Sequence, residues 1–224
     1  MTVRITGEIT KEAEAPKHAE LWRAAILAHE RWLEQRGGGE PARIDALDVG
    51  QVSAPRVRLS RAVLHGVRLA GSDFRGAQME ASQWEECDLS LANLSSADLG
   101  HSVWTKVNLR DARLTAADLC DAGMDECMLN EAKAPGARWL ESRLTRCDFS
   151  HAVLPQTSFH HAALVECTFS NSELDGALYY HAQLRFCRFR DSRLSGVNFS
   201  GARLRNCEFF RCALDGTRFS GADL

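Results

Sequence analysis

The sequence predicts a solenoid of short stacked repeats, and three observations predict it. From Leu59 to Leu224 every fifth residue is a large or medium apolar side chain, with Ala134 the one weak centre. The residue two before each centre is always Ala, Ser, Cys, Val or Thr, as at Val57, Ala62, Ser72, Cys87 and Ala222. Gly recurs two after the centre, as at Gly66, Gly136, Gly176 and Gly216, where a tight turn needs permissive backbone angles. A period of five fits neither an amphipathic helix nor a half-buried strand, whose apolar positions recur near 3.6 and 2.

The blocks Ala92-Asn93-Leu94, Ala97-Asp98-Leu99, Ala117-Asp118-Leu119 and Ala222-Asp223-Leu224 resemble the pentapeptide-repeat family, whose motif is Ala-(Asp/Asn)-Leu-x-x. The resemblance covers about three quarters of the chain in one frame. It implies an all-β solenoid: a right-handed quadrilateral (square) parallel β-helix, four repeats per coil, with small and large residues both inward.

A square coil requires a 20-residue repeat, and the sequence carries one. Cys87, Cys127, Cys147, Cys167, Cys187 and Cys207 are separated by multiples of twenty, with Val67 and Val107 in the same column. A column of centres turns from Leu69, Leu89, Leu109 and Leu129 into Phe149, Phe169, Phe189 and Phe209. Ten residues away, on the opposite wall, stand Trp139, Phe159, Tyr179, Phe199 and Phe219; Trp84 and Trp104 stack in a third column. Like residues stacked at about 4.7–4.8 Å mark parallel in-register strands. The segment Ala134-Pro135-Gly136 pairs a small centre with a residue lacking an N–H, so a local bulge or bend is expected there, with Trp139 filling space one frame later.

Residues 1–45 do not follow the repeat, which is assigned to 46–224, about eight to nine coils; Val49 and Ile44 nevertheless fall in frame. A helix is expected from Pro16 to Arg36, stopped by Gly37-Gly38-Gly39. Its wide apolar face, including Leu21, Trp22, Ile26, Trp32 and Leu33, suits a cap over the first coil, because solenoid ends need shielding. The first dozen residues suit a short strand or a disordered tail. At the other end the sequence stops inside a repeat, so Phe209, Leu214, Phe219 and Leu224 form an open apolar platform. End-to-end homodimerisation is expected there, the alternatives being a docked partner or a longer natural chain.

The formal charge is −3, no apolar run approaches the ~20 residues that cross a bilayer, and no signal-peptide core opens the chain. A cytoplasmic protein that does not bind membrane is expected. Seven of eight cysteines occupy small inward slots, where a thiol is a compact filler; stacked parallel side chains do not converge on zinc. Cys120 is the candidate exposed thiol. Asp121, Glu141, His161 and His181 share a corner column, with His160 adjoining, and could form a divalent-metal patch. A solvated corner is the preferred reading, and no cofactor is expected. No phosphate loop, Gly-x-Ser-x-Gly or His-Glu-x-x-His occurs, so no enzyme is expected.

Charge is distributed unevenly. Asp73 to Glu131 holds twelve acids against Arg75, Lys106, Arg110 and Arg113, a balance of −8; Arg185 to Leu224 holds eight Arg against four acids, a balance of +4. The leading expectation is a rigid, non-enzymatic protein-interaction module whose partner the residues do not name, without direct nucleic-acid binding. The resemblance supplies an alternative: family members protect DNA gyrase and topoisomerase IV from quinolones or toxins by imitating DNA with an acidic rod. The basic end and the lack of an interrupting loop count against that alternative here.

Overall fold

The computed structural model describes residues 4–6 and 15–224 of the chain. It is a parallel β-solenoid of about 8 turns with one N-terminal helix. Strand β1 (Arg4–Thr6) precedes helix α1 (Ala15–Leu33), and β2 (Arg43–Asp45) follows it. β1 pairs in parallel with β2, and β2 with β3 (Val63–His65), Ile44 lying opposite Leu64. One three-residue strand per turn continues this wall into a ten-stranded parallel sheet, each register step being twenty residues. Of the first dozen residues, those outside Arg4–Thr6 lie outside the described residues. Among the described residues no helix is long and apolar enough to cross a membrane.

We call the wall centred on Leu64 and Trp84 wall 1, and those centred on Leu69, Phe74 and Met79 walls 2, 3 and 4. Walls 2 to 4 join successive coils mostly through single bridging residues, for example Arg68 to Asp88, Asp73 to Asn93 and Gln78 to Asp98. In the last coils wall 2 widens into a second ladder, Arg188–Arg190 against Glu208–Phe210.

The corners show how five residues make one side of a square. Every residue two after a centre, from Arg56 to Gly221, has φ between +51° and +70°. At most corners the centre's carbonyl accepts from the amide three residues on, as Ala62 N donates to Leu59 O at 3.0 Å. That is a type II turn, which needs a left-handed third residue. Glycine is the sequence signal for these turns, yet His101, Lys106, Glu126 and Phe186 adopt the same angles. Their amides donate to the coil above, as Lys106 N does to Asp125 O at 2.8 Å, which offsets the steric cost of roughly 1–2 kcal/mol per residue.

The turn leaves the amide after the centre outside this pattern. The residue just before the centre satisfies it: Asp88 Oδ1 accepts from Ser90 N, Asp98 Oδ1 from Gly100 N, Asn93 Oδ1 from Ser95 N and Asp118 Oδ1 from Cys120 N, at 3.0–3.2 Å. This is the physical content of Asp or Asn in the repeat motif: a short side chain that turns back two residues.

The core is one continuous column from Ile44 to Leu204. Its lower half is mostly leucine, with Trp84 and Trp104 stacked at 5.1 Å. Each indole N–H donates to a serine in the preceding small slot, Trp84 to Ser82 Oγ at 2.8 Å and Trp104 to Ser102 Oγ at 2.6 Å. Trp139 has Ala137 in that slot, and its buried Nε1 has no partner among the described residues. In the upper half Phe149, Phe169, Phe189 and Phe209 stack at 4.8–4.9 Å. A second stack runs from Trp139 to Phe219, and the two meet edge to face at 5.7–6.4 Å. Stacked and edge-on rings add about 0.5–1.5 kcal/mol per pair beyond burial.

Three sequence expectations change. No bulge forms at Ala134-Pro135-Gly136: Ala134 is fully buried, Ala134 N donates to Val153 O at 2.9 Å, and Pro135 O accepts from Ala116 N at 3.0 Å. Proline sits at the second turn position, whose N–H the ladder does not use, so its missing donor costs nothing there. The helix ends at Leu33, before the glycines, because Gln35 takes the left-handed angle (φ 56°); Arg36 N then reaches Arg31 O at 2.8 Å and Gln35 N reaches Trp32 O at 3.0 Å. Gly39 is needed for a different reason, since a Cβ there would collide with the Trp32 backbone. Cys120 is also not alone in being partly exposed: Cys207 and Cys212, in the last coil, are too.

Candidate interaction surfaces

The N-terminal helix packs on the first coils through His18, Trp22, Ala25, Ile26 and His29, all buried, with Leu21, Trp32 and Leu33 half-buried. Trp22 meets Phe74 at 6.4 Å. His29 fixes the helix to the coil with both ring nitrogens: Ala42 N donates to Nδ1 at 3.0 Å, and Nε2 lies 3.1 Å from Ser60 O. That pattern requires the neutral Nε2–H tautomer. Burial lowers the His29 pKa, with Arg58 adding to the effect. In the sequence His29 is one member of an apolar stripe, and nothing local signals this role. A cleft of about 570 Å³ opens beside the helix, between Ile26 and Leu27 on one side and Val52 and Val57 on the other.

The cysteine column is inward and buried from Cys87 to Cys187. Each thiol points to a wall 1 carbonyl one coil earlier, Cys87 to Leu64 O at 3.5 Å and Cys167 to Leu144 O at 3.6 Å. The slot therefore selects a small apolar group with a weak donor. Burial pushes the Cys87 thiol up to about 12, and the Cys147 sulfur together with burial holds Cys127 well above its ordinary value. Cys87 and Cys127 are thus protonated packing groups, whereas hydrogen bonds from the neighbouring column thiols lower Cys147 and Cys187.

Asp121, Glu141, His161 and His181 do share a corner column, each with φ of 56–58°. They do not converge. Asp121 sits 3.9 Å from His101, the His161 and His181 rings stack at 5.4 Å, and no metal-holding group of three ligands occurs among the described residues. His181 Nδ1 lies 3.4 Å from Gly201 O. Side chains 20 residues apart run parallel, so a column spaces ligands along a line instead of around a point.

The acidic coils are less free than their charge suggests. Asp73 pairs with Arg75 at 2.7 Å, Asp118 with Arg138 at 3.0 Å, Asp125 with Arg146 at 2.7 Å and Glu86 with Lys106 at 3.8 Å. The Arg75 guanidinium holds the Asp73 carboxyl below its ordinary value. Glu80, Glu85, Asp111 and Glu131 have no ion pair among the described residues, and they lie on walls 4 and 1 and the corner after wall 2. At the far end Phe209 and Phe219 are half-covered, while Leu214 and Leu224 are exposed, Leu224 by 81%.

Two family profiles match this chain: "Pentapeptide repeats (8 copies)" over residues 50–82 and 87–124, and "Pentapeptide repeat region" over 142–219. The chain belongs to the pentapeptide-repeat family. A comparison with curated proteins finds no match. Among solved structures, this pentapeptide-repeat chain is similar to a trypsin-treated variant of QnrB1, a plasmid-mediated fluoroquinolone resistance protein, with TM-score 0.62 and 20% identity over 80% of this chain and 90% of that one. It is also similar to HetL, a pentapeptide repeat protein involved in heterocyst differentiation regulation from the cyanobacterium Nostoc sp. strain PCC 7120. That match has TM-score 0.55 and 21% identity over 87% of this chain and 92% of that one. At such identities the likeness is one of fold.

Proposed function

We propose that this pentapeptide-repeat protein is a rigid, non-enzymatic scaffold that binds a protein partner through its outward columns. One observation carries the reading: inward positions and turn caps are spent on the shaft, while outward residues change freely from coil to coil. Such a rod presents a fixed pattern of charge at little entropic cost on binding. The test is affinity capture from a bacterial lysate with wild-type protein and with Glu80→Lys/Glu85→Lys/Glu131→Lys. A partner retained by the first and lost by the second supports the reading; identical captures from both sink it.

Gyrase or topoisomerase IV binding by DNA mimicry is the second reading, favoured by the −8 balance between Asp73 and Glu131. The scatter of the unpaired carboxylates over three parts of the surface weighs against it. A supercoiling assay with a quinolone decides: no inhibition and no protection at micromolar protein removes it. We also assign the exposed Leu214 and Leu224, with Phe209 and Phe219 beneath, to an end-to-end homodimer contact. Sedimentation should show a dimer that Leu214→Arg converts to monomer, and a wild-type monomer would refute the assignment.

A further inference from the structure

The last two coils carry a patch that neither the shaft nor the acidic coils explain. Corner residue Phe186 has φ 56° and is 46% exposed. Its column neighbours Glu86, Lys106, Glu126, Arg146, Glu166 and Asn206 are all polar. A bulky apolar residue in the left-handed region costs roughly 1–2 kcal/mol, and exposure of its ring adds to that cost. The Phe186 amide donates to Arg205 O at 3.0 Å, which offsets the backbone cost but not the exposure of the ring, whose neighbour is the Arg185 guanidinium at 5.9 Å. Around the corner on wall 2 stands Phe210, 40% exposed, with the guanidiniums of Arg190 and Arg211 each 5.0 Å from its centroid. Arg188 lines one hollow with Phe186 and Glu166 and lies opposite Glu208 in the wall 2 ladder. Arg190 pairs with Glu208 at 3.4 Å, whereas Arg185, Arg188 and Arg211 carry no ion pair among the described residues. Exposed aromatic rings set among unpaired arginines have the composition of an interaction hot spot.

We propose that this patch docks an acidic polypeptide segment bearing an aromatic side chain, its carboxylates on Arg185, Arg188 and Arg211 and its ring against Phe186. The charge calls for an anion, since residues 185–224 balance at +4, and guanidinium takes carboxylate bidentately. A single-stranded nucleic acid fits less well. Its bases need free ring faces in sequence, whereas Phe210 already carries two guanidiniums and the two phenylalanines stand toward opposite ends of wall 2 in successive coils. Glu166, Glu208 and Asp191 flank the patch and would repel a continuous phosphate track. This inference deepens the scaffold reading and rests on it, but on a surface remote from Glu80, Glu85 and Glu131, so either can fail alone.

The test is fluorescence anisotropy of the full chain with labelled poly(Glu,Tyr) copolymer, poly-Glu and oligo-dT. The copolymer should bind, and more tightly than poly-Glu. Arg188→Glu/Arg211→Glu should weaken it at least about tenfold. Phe186→Gly separates function from folding: glycine suits the corner, so the melting temperature should rise while copolymer affinity falls about fivefold or more. Copolymer binding unchanged in Phe186→Gly, or none at all, overturns the proposal. So does tighter binding of oligo-dT, which would make the patch a nucleic-acid site, or a wild-type dimer lost in Phe186→Gly, which would make its occupant a second copy.

Discussion

On wall 2 the inward centre is leucine from Leu69 to Leu129 and phenylalanine from Phe149 to Phe209, and the outward charge reverses along the same rod, from −8 over Asp73–Glu131 to +4 over Arg185–Leu224. Backbone geometry does not change across this boundary: turns, ladders and corner angles continue through it. The coil therefore fixes where side chains go and leaves their identity open, provided a column stays consistent with itself. The lower half draws on aliphatic burial, a docked helix and most of the aspartate and asparagine caps, of which Asp148 and Asn198 continue above. The upper half draws on rings in contact from coil to coil.

The largest way to break this comparison is at the centres. Phe169→Asp should abolish folding of the upper coils, because an unpaired charge cannot be solvated there, while Arg185→Asp on the surface should change stability by less than about 0.5 kcal/mol. Phe169→Ala should cost about 3–5 kcal/mol and Leu109→Ala about 2–5, with the loss at Phe169 the greater because two stacked rings and edge-on partners lose contact. Denaturant unfolding with hydrogen exchange resolved by coil measures both, and equal losses would erase the distinction between the halves. Next, Asp98→Ala should cost about 1 kcal/mol by orphaning the Gly100 amide, against almost nothing for Arg218→Ala.

One substitution should transfer the lower half's solution to the upper, and a second should remove a mismatch within the upper half's ring stack. Ala137→Ser copies the Ser–Trp pairs of the lower half and gives Trp139 Nε1 an acceptor; Tyr179→Phe removes a buried hydroxyl that has no partner among the described residues. Each should raise stability by about 0.5–1.5 kcal/mol, and a drop in melting temperature would contradict the pairing argument. The smallest effect is a pH slope confined to the capped end. Because the folded His29 pKa lies below the ordinary 6.5, its contribution is complete above pH 6.5 and declines as pH falls from there toward the folded value. Hydrogen exchange should show α1 and the first coil loosening on acidification, and His29→Gln should flatten that dependence.

Period and column were both legible in the residues, because an inward side chain repeats wherever the chain returns to the same wall. From them came the solenoid, its strand-per-turn register and the stacks from Phe149 to Phe219. The capping helix was legible from its apolar width, but its end was not. Gln35 accepts a left-handed angle because the Arg36 and Gln35 amides then find carbonyls, a trade that no propensity registers. Pro135 misleads for a similar reason: whether a missing N–H matters depends on whether the ladder uses it.

The sequence by itself determined the shaft, since a five-residue inward pattern has one way to bury itself repeatedly in registered coils. Only the tertiary structure decided the surface. Which carboxylates are consumed by turn amides and arginines one coil away, whether Asp121, Glu141, His161 and His181 meet, and that Phe186 and Phe210 stand toward the two ends of wall 2 in successive coils all depend on distances between coils. Outward side chains answer to neighbours twenty residues distant and to solvent, and neither imposes a period that a sequence would have to keep.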